Sequence, residues 1–437
     1  MQQKVKDLFE YIEASTSKFH AIKEQKDRFI SAGFLPLDES ESWKLEYGKS
    51  YFVTRNDSTI AAFVLPTKSM DGISIMASHS DSPSFKIKNN PEMKEASYVK
   101  LNTEKYGGML MAPWFDRPLS IAGRVIVSTK DGLETRLINF DRDLCMLPSL
   151  AIHMNRSAND GNKYNPQKDM LPLISMSEDF DLYELVAKEL HIKKEEIMGE
   201  DLYLYSRDKG CIWGSDEEFL SIGRLDDLEC AYASMHGMID SKAQENRVLL
   251  HVTFDNEEVG SGTKQGADST FLKDVILRIN KALGNDEAKL IQVLANSFMV
   301  SADNAHALHP NYSEFSDPTN KVLLNNGIVL KFSAAEKYMT DGLSGAIFKE
   351  ICKKNTIPYQ VFVNKSDIPG GSTLGNILSS HISVAGVDIG VPQLAMHSPF
   401  ETAGVQDTEN ILNFASIFYK ITIEKNISGI YNVRGVF

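Results

Sequence analysis

Five short stretches of the chain each carry a side chain that can bind a metal ion. The five residues are His79, Asp226, Glu258, Asp303 and His397. A further acid, Glu257, stands directly beside Glu258. Two imidazoles and three carboxylates suit two divalent ions that share one bridging carboxylate, and the spare acid can carry a proton to or from a water molecule. This set of residues therefore predicts a hydrolase with two metal ions in its site.

The charges of such a site balance within the set. Two divalent ions bring four positive charges, the three carboxylates bring three negative charges, and one bridging hydroxide cancels the remainder. None of the candidate ligands is a cysteine, which favours an ion bound through nitrogen and oxygen over a thiolate-rich structural zinc. We therefore expect two divalent ions per subunit, with zinc favoured and cobalt or manganese as the alternatives.

Two acids next to the ligands have predicted roles of their own. Asp81 stands two residues after His79, where an extended backbone puts both side chains on one face, so its carboxylate can orient the imidazole. Glu257 is predicted to take a proton from the attacking water and to return it to the leaving amine.

Each of these residues also has an ordinary structural explanation. Asp226 and Asp227 precede a predicted helix, where an aspartate commonly caps the first turn. A lone histidine beside a strand is usually a hydrogen-bonded group, and paired glutamates are usually solvated. The joint occurrence of all of them favours the metal site.

The elements that must bring these residues together are predicted to alternate between strands and helices. Strands are predicted over residues 51–55, 59–65, 72–78, 247–254, 298–303, 359–363 and 383–389, and helices over 228–240 and 340–355. This alternation predicts an α/β fold, in three layers, with a central mixed, largely parallel sheet. Ligands in such a sheet gather beyond the carboxyl ends of its strands; four of the five candidate ligands end or follow predicted strands, and Asp226 precedes a predicted helix.

The middle of the chain has a different texture. Residues 120–129 and 133–140 are typical of two strands joined by a Lys-Asp-Gly turn. We therefore predict an inserted, mainly β domain over residues 89–218, and a catalytic domain formed by residues 1–88 and 219–437. The first 22 residues are predicted to form one amphipathic helix with an apolar face of Val5, Leu8, Phe9 and Ile12.

The composition excludes several classes of function. The 437 residues carry a formal net charge of −13, which opposes nucleic acid as a partner because phosphate binding needs a basic surface. No export signal or apolar stretch of about 18 residues appears, so no membrane association is expected. The four cysteines lie far apart, without metal-binding or disulfide spacing, which favours reduced thiols in a cytoplasmic protein.

Eight motifs, in order and spread over nearly the whole chain, closely resemble those of the M18 family of metalloaminopeptidases, which comprises aspartyl aminopeptidases and aminopeptidase I. The motifs are ASHSDSPSFKIK (77–88), YGGMLMAPWFDRPLSIAGRV (106–125), LAIHMNR (150–156), GRLDDLECAYAS (223–234), FDNEEVGS (254–261), SADNAHALHPNY (301–312), PGGSTLGNI (369–377) and PQLAMHSPFETAG (392–404).

The resemblance implies a role for each ligand. Asp226 bridges the two ions. His79 and Asp303 complete the coordination of one ion, and Glu258 and His397 complete the coordination of the other.

The resemblance also implies roles outside the ligand set. Glu257 is the implied general acid and base, and Asp81 is the implied partner of the histidine ligand that precedes it. His153 is implied to enter the active site of a neighbouring subunit. His309 and Lys331 match family positions along the substrate pocket.

At the level of the whole protein, the resemblance implies an enzyme that removes N-terminal amino acids from peptides. The two ions would hold the scissile carbonyl and the free amine while the bridging hydroxide attacks. The inserted domain is implied to be a dimerisation domain, and dimers are implied to assemble into a tetrahedral dodecamer with enclosed active sites.

Three stretches depart from the family pattern. The usual RLDN reads RLDD here, so Asp227 adds a carboxylate that needs a partner or a proton if it is buried. The segments FSAAEKYMTDG after Lys331 and SPFETAG also differ, which leaves open whether the preferred N-terminal residue is acidic or neutral.

Two other functions stay open at the level of sequence. One is another dinuclear amide hydrolase, a carboxypeptidase or a deacylase, and the other is a non-catalytic, self-assembling shell that binds peptides.

Overall fold

The computed structural model of the chain describes residues 2–425 and 431–435. Met1, the first residue of the predicted N-terminal helix, lies outside the described residues, as do residues 426–430 and 436–437 of the predicted catalytic domain. Within the described part, none of the helices combines the length and the apolar character that a bilayer crossing requires. All four cysteines are free thiols.

The described residues form ten α-helices, and the two predicted helices are confirmed as α5 and α8. The helices are α1 (Gln2–Ala14), α2 (Lys18–Ser31), α3 (Pro166–Asp169), α4 (Leu182–Leu190), α5 (Leu225–Ile239), α6 (Phe271–Ala282), α7 (Glu287–Ala295), α8 (Gly342–Lys354), α9 (Leu374–His381) and α10 (Val405–Phe418).

The N-terminal segment folds differently from the prediction. One helix was expected over the first 22 residues, but α1 ends at Ala14 and α2 starts at Lys18. Ser15 donates its hydroxyl hydrogen to the Tyr11 carbonyl oxygen, and the Ser17 hydroxyl accepts the His20 backbone N–H. These serine bonds compete with helix continuation and start a new helix, so the prediction of one helix is wrong.

The strands reproduce the seven predicted ones within three residues at each end. They are β1 (Leu35–Leu37), β2 (Ser50–Arg55), β3 (Thr59–Val64), β4 (Gly72–His79), β5 (Ser84–Glu95), β6 (Tyr98–Tyr106), β7 (Leu119–Thr129), β8 (Gly132–Asn139), β9 (Leu173–Ser175), β10 (Ile197–Ser206), β11 (Cys211–Trp213), β12 (Phe219–Ile222), β13 (Arg247–Phe254), β14 (Phe298–Ala302), β15 (Ala305–His306), β16 (Ile328–Phe332), β17 (Tyr359–Val363), β18 (Ala385–Gly390), β19 (Pro392–Leu394), β20 (Glu401–Gly404), β21 (Thr422–Lys425) and β22 (Tyr431–Arg434).

The largest sheet has nine strands in the order β1-β2-β3-β13-β4-β14-β18-β16-β17. Its centre is parallel, because β13, β4, β14 and β18 run in the same direction. Strands β3 and β16, which flank that centre, are antiparallel to their inner neighbours. The prediction of a mixed, largely parallel sheet is confirmed.

Side chains on alternate residues of this sheet enter two separate hydrophobic cores. On β13, Leu249 packs with residues of α1, α5 and α10. Its neighbours Val248 and Leu250 face the other side, where they pack with residues of α6 and α9. Alternation along a strand therefore places helices on both faces, which gives the three predicted layers.

Two smaller sheets complete the surroundings of the nine-stranded sheet. An antiparallel sheet in the order β8-β7-β10-β5-β6-β9 has its own hydrophobic core, and it includes the predicted hairpin as β7 and β8. A five-stranded sheet in the order β11-β12-β20-β19-β15 joins strands that come from distant parts of the sequence. The proposed domain limits stay a prediction, and β5 runs across the limit at residue 88.

His251, in the middle of β13, is a fully buried histidine away from the candidate ligands. Its Nδ1 lies 2.7 Å from the Ser234 hydroxyl, and its Nε2 lies 2.9 Å from Gln25 Oε1. Burial lowers the pKa of His251 to about 3, below the usual value of about 6.5 that it has in the unfolded chain. This residue therefore stabilises the fold fully above pH 6.5, and the contribution is lost as the pH falls towards 3.

We expect acid to weaken the wild-type fold more than that of His251→Gln. From pH 7.5 to pH 5.5, the free energy of unfolding should fall by about 1.4 kcal/mol more in the wild type, because one further proton binds the unfolded chain. Urea titrations of metal-free protein at both pH values measure this difference. The control is His236→Gln, since the His236 side chain is 45 % exposed. Equal acid sensitivity of the wild type and His251→Gln would contradict the account.

Candidate metal centre

Three adjacent parallel strands of the nine-stranded sheet deliver three of the predicted ligands to one edge. His79 is the last residue of β4, and Asp303 directly follows β14. Glu258 lies in a short turn after β13, the neighbour of β4 on its other side. The carboxyl ends of parallel strands meet at one edge of a sheet, so these side chains converge without any motif in the sequence linking them.

The five-stranded sheet delivers the other two ligands. Asp226 lies at the start of α5, four residues after β12 ends, and His397 lies three residues after β19 ends. Both strands pair with β20, one on each side. Asp226 is 3 % exposed, whereas the His397 side chain is 33 % exposed and borders the solvent.

The two oxygens of the Asp226 carboxylate face different histidines. Oδ1 lies 3.4 Å from His79 Nε2, and Oδ2 lies 3.3 Å from His397 Nε2. His397 Nε2 is also 3.4 Å from Glu258 Oε2. Two sets of ligand atoms, each within 4.8 Å of one another, share Asp226: one adds His79 and Asp303, and the other adds Glu258 and His397.

These groups fit metal ions better than they fit one another. Asp226 Oδ1 and Glu258 Oε1 are buried and have no hydrogen-bond partner in the described protein. Two ligands about 2.0 to 2.1 Å from a tetrahedral zinc ion lie about 3.3 Å apart, which matches the nitrogen–oxygen distances around Asp226. Burial alone raises the Asp226 pKa, but His397 and His79 lower it below its ordinary value, so the carboxylate is ionised.

Asp81 holds the turn that carries the two glutamates. Its Oδ1 accepts the Glu257 backbone N–H at 3.1 Å, and its Oδ2 accepts the Glu258 backbone N–H at 3.2 Å. His79 Nδ1 lies 3.0 Å from the main-chain oxygen of Asp81 and 3.5 Å from its Oδ1. An Nδ1–H that donates to the main-chain oxygen leaves Nε2 free to bind a metal ion.

The spare acid, Glu257, projects into the same cluster. One of its carboxylate oxygens lies within 4.8 Å of ligand atoms of His79 and Glu258. Burial raises the pKa of Glu257 to about 8; His79 opposes this shift, and Asp303 adds to it. A carboxyl group that titrates near neutral pH can both take and give a proton.

Asp227, whose role the sequence left open, is fully buried behind His79. Its Oδ2 accepts the His79 backbone N–H at 3.0 Å. Burial raises the Asp227 pKa well above its ordinary value, His79 opposes the shift, and Asp303 and Asp226 add to it. Asp227, which stands where the family has asparagine, therefore accepts the His79 backbone N–H, and its carboxyl group can carry a proton.

Two functional neighbours were missed at the level of sequence. Tyr106, from β6, donates its hydroxyl hydrogen to Asp81 Oδ2 at 2.6 Å. Glu401, at the start of β20, accepts the backbone N–H groups of Asp226 and His397. Both residues stand inside the quoted family motifs, but a tyrosine and a glutamate there carry no local signal of what they contact.

The structure brings together the five ligands, Glu257 and Asp81. Of the three predicted substrate-binding residues, Lys331 lies close to the ligand Asp303. Lys331, on β16, is 4 % exposed, and its Nζ donates to the Asn304 main-chain oxygen at 2.9 Å and lies 3.9 Å from Asp303 Oδ1. His153 lies in an exposed turn. The role of these residues in substrate binding stays a prediction.

His309 lines a cavity. The first residue of the cavity lining, His306, comes three positions after the ligand Asp303 in the sequence. The cavity has a volume of about 510 Å³, and its lining includes His306, His309, Tyr312 and Phe362. The His309 and Tyr312 rings lie 5.0 Å apart. An aromatic cavity of this size can hold an organic side chain.

Comparisons with known proteins agree with this arrangement. A family model described as "Aminopeptidase I zinc metalloprotease (M18)" matches residues 11–419. A "Probable M18 family aminopeptidase 2" of Clostridium acetobutylicum is 46 % identical, over 95 % of this chain and 98 % of the relative. An "Aspartyl aminopeptidase" of Dictyostelium discoideum is 37 % identical, over 95 % and 96 % of the two chains. A solved structure of the mApe1 dodecamer of S. cerevisiae superposes with a TM-score of 0.84 and 26 % identity, covering 96 % of this chain and 97 % of that one.

Proposed function

The chain belongs to the M18 family of metalloaminopeptidases, and from this premise we propose how its buried cluster cleaves peptides. Two divalent ions, zinc in the first place, would be held here with Asp226 as their shared ligand. His79 and Asp303 would complete one ion, and Glu258 and His397 would complete the other. The observation that carries the proposal is that each oxygen of Asp226 faces a different histidine.

Ions bound there would supply Lewis-acid chemistry, which polarises the scissile carbonyl and lowers the pKa of the attacking water. The chain's own residues hold and move the proton. Glu257 takes it from the water and later gives it to the leaving amine, and its pKa of about 8 suits both steps. Cations beside Glu257 would lower that pKa further towards neutral.

Asp81 keeps Glu257 in place for this task. The Asp81 carboxylate binds the backbone of both glutamates, so the turn that carries them cannot rotate without breaking two partly buried hydrogen bonds. The same residue fixes His79 through its main-chain oxygen. One residue therefore orients both a ligand, through its main-chain oxygen, and the proton carrier, through its carboxylate.

The peptide is proposed to enter through the aromatic cavity that contains His309. Lys331 is proposed to influence the substrate site through its neighbours, because its ammonium group already contacts Asn304 and the ligand Asp303. An acidic substrate side chain would have to compete with these partners for Lys331. Reporters with acidic and with neutral N-terminal residues therefore belong in any assay panel.

Homo-oligomeric assembly is supported by the family, and its tetrahedral, twelve-subunit form is part of the proposal. The solved S. cerevisiae relative is described as a dodecamer. In this chain, Leu150, Ile152 and Met154 expose 61 %, 48 % and 77 % of their surface around His153. Exposed apolar side chains in one segment are typical of a protein–protein interface. We propose that this segment carries His153 into the active site of another subunit.

The role of Glu257 is tested by Glu257→Gln. We expect this variant to keep its fold and its bound metal but to lose about 10²- to 10⁴-fold in kcat, because only the proton transfer is removed. The matched comparison is Glu258→Gln, which should lose both metal and turnover. Metal content, circular dichroism and hydrolysis of aminoacyl reporters measure the three quantities. Full activity of metal-loaded Glu257→Gln would refute this assignment.

The proposed exchange of His153 is tested by mixing two inactive variants. His153→Ala and Glu257→Gln subunits, unfolded together and reassembled, should regain part of the wild-type activity, because some sites combine an intact Glu257 with an intact His153. Reassembly of each variant alone provides the control. If the mixture stays as inactive as its components while forming the same oligomer, His153 does not act across subunits.

A further inference from the structure

We propose that Glu401 is a positioning residue that sets the place of two metal ligands at once. The inference rests on the proposed metal centre, because it concerns how Asp226 and His397 are held there. Glu401 is 2 % exposed. It is not among the side chains whose atoms form the ligand sets in the described part of the chain.

Each oxygen of the Glu401 carboxylate accepts a hydrogen bond from the backbone of a different ligand. Oε2 accepts the Asp226 N–H at 3.2 Å, and Oε1 accepts the His397 N–H at 2.7 Å. These ligands are 171 positions apart in sequence, and they share one of the two proposed ions. The distance between their backbones is therefore fixed by the width of one carboxylate.

The position of Glu401 in the five-stranded sheet explains why it can reach both ligands. It opens β20, the strand that pairs with β12 on one side and with β19 on the other. Glu401 lies opposite Ile222 at the end of β12, and the next residue, Thr402, lies opposite Leu394 at the end of β19. The chain continues from those two strand ends to Asp226 and to His397, so Glu401 stands between the two ligand segments.

Buried amides extend this contact to a third ligand segment. Gln393 Nε2 donates to Glu401 Oε1 at 3.4 Å, and Gln393 Oε1 accepts from Asn304 Nδ2 at 2.8 Å. Asn304 directly follows the ligand Asp303, and its Nδ2 also donates to the Leu225 main-chain oxygen at 3.2 Å. A displacement of Glu401 would therefore be felt at Asp226, His397 and Asp303 together.

A carboxylate of this length is required at the site. Glutamine keeps the length but turns an amide N–H₂ towards one of the two backbone N–H donors, which leaves that donor without an acceptor. Aspartate keeps both acceptors and the charge but is one methylene shorter. His397 adopts a left-handed backbone conformation, with φ of 67°, which is strained for a residue with a side chain and needs support from its surroundings.

The test compares Co²⁺ binding to metal-stripped wild type, Glu401→Gln and Glu401→Asp. We expect both variants to bind Co²⁺ about 10- to 100-fold more weakly in competition with a chelator, as is typical when a residue that orients ligands is lost. We also expect the visible absorption of the bound Co²⁺ to change, because it depends on the geometry of the ligands. The melting temperature of the metal-free protein should fall by only a few degrees, because one buried backbone donor loses its acceptor.

The matched control is Asp407→Asn. Asp407 is also a fully buried carboxylate that accepts two backbone N–H groups, those of Asn325 and Gly327. Neither of these two residues is one of the proposed metal ligands. We expect this variant to keep the Co²⁺ affinity and spectrum of the wild type. A loss of affinity equal to that of the Glu401 variants would mean that any buried carboxylate matters, and it would overturn the proposal.

The variants separate positioning from charge. Wild-type Co²⁺ affinity in Glu401→Asp would leave only the charge of Glu401 as its contribution, and wild-type affinity in both variants would leave none; either result overturns the proposal. If neither variant folds, Gln393→Leu carries the test, with a smaller loss of affinity expected and no loss overturning it. Failure of the wild type itself to bind Co²⁺ would instead refute the proposed metal centre.

Discussion

Seven carboxylates, five of them buried and two half-buried, converge on one cluster at the edge of the nine-stranded sheet, and the residues around them are arranged to accommodate this charge. The acids are Asp81, Asp226, Asp227, Glu257, Glu258, Asp303 and Glu401. Removing an ionised carboxylate from water is costly unless a cation or several hydrogen-bond donors face it. Lys331, 3.9 Å from Asp303, supplies one positive charge. Two divalent ions would supply four more, and the raised pKa values of Asp227 and Glu257 allow these two groups to carry protons.

This constraint explains why three of the four non-ligand acids accept backbone N–H groups. Asp227 accepts the His79 N–H, Asp81 accepts that of Glu258, and Glu401 accepts those of Asp226 and His397. The fifth ligand, Asp303, is held by the main-chain oxygen of Ile389 in the neighbouring strand. Every ligand backbone is thus fixed by an acceptor outside the ligand set. Ligands that are fixed before the ion arrives lose little freedom on binding it, which favours both affinity and a defined geometry.

The sequence predicted the parts of this arrangement that depend on local pattern. Strands β4, β13 and β14 are continuous apolar runs because both faces of the sheet are buried, so their ends, and the ligands there, could be placed. The residues that depend on distant partners could not be predicted. Glu401 reaches two ligand segments because β20 lies between two other strands, and the buried Lys331 donates to the main-chain oxygen of Asn304. The break before α2 was missed because serine hydroxyl groups that compete for backbone hydrogen bonds leave only a weak signal in the sequence.

We propose that two ions would be held at this cluster with the Asp226 carboxylate as their shared ligand. Crystals of the zinc-loaded protein, measured at the zinc absorption edge, test it most directly. We expect two anomalous peaks per subunit, one bounded by His79 and Asp303 and the other by Glu258 and His397, with an oxygen of Asp226 next to each. A single peak, or two peaks that do not share Asp226, in a fully loaded and active protein would contradict it.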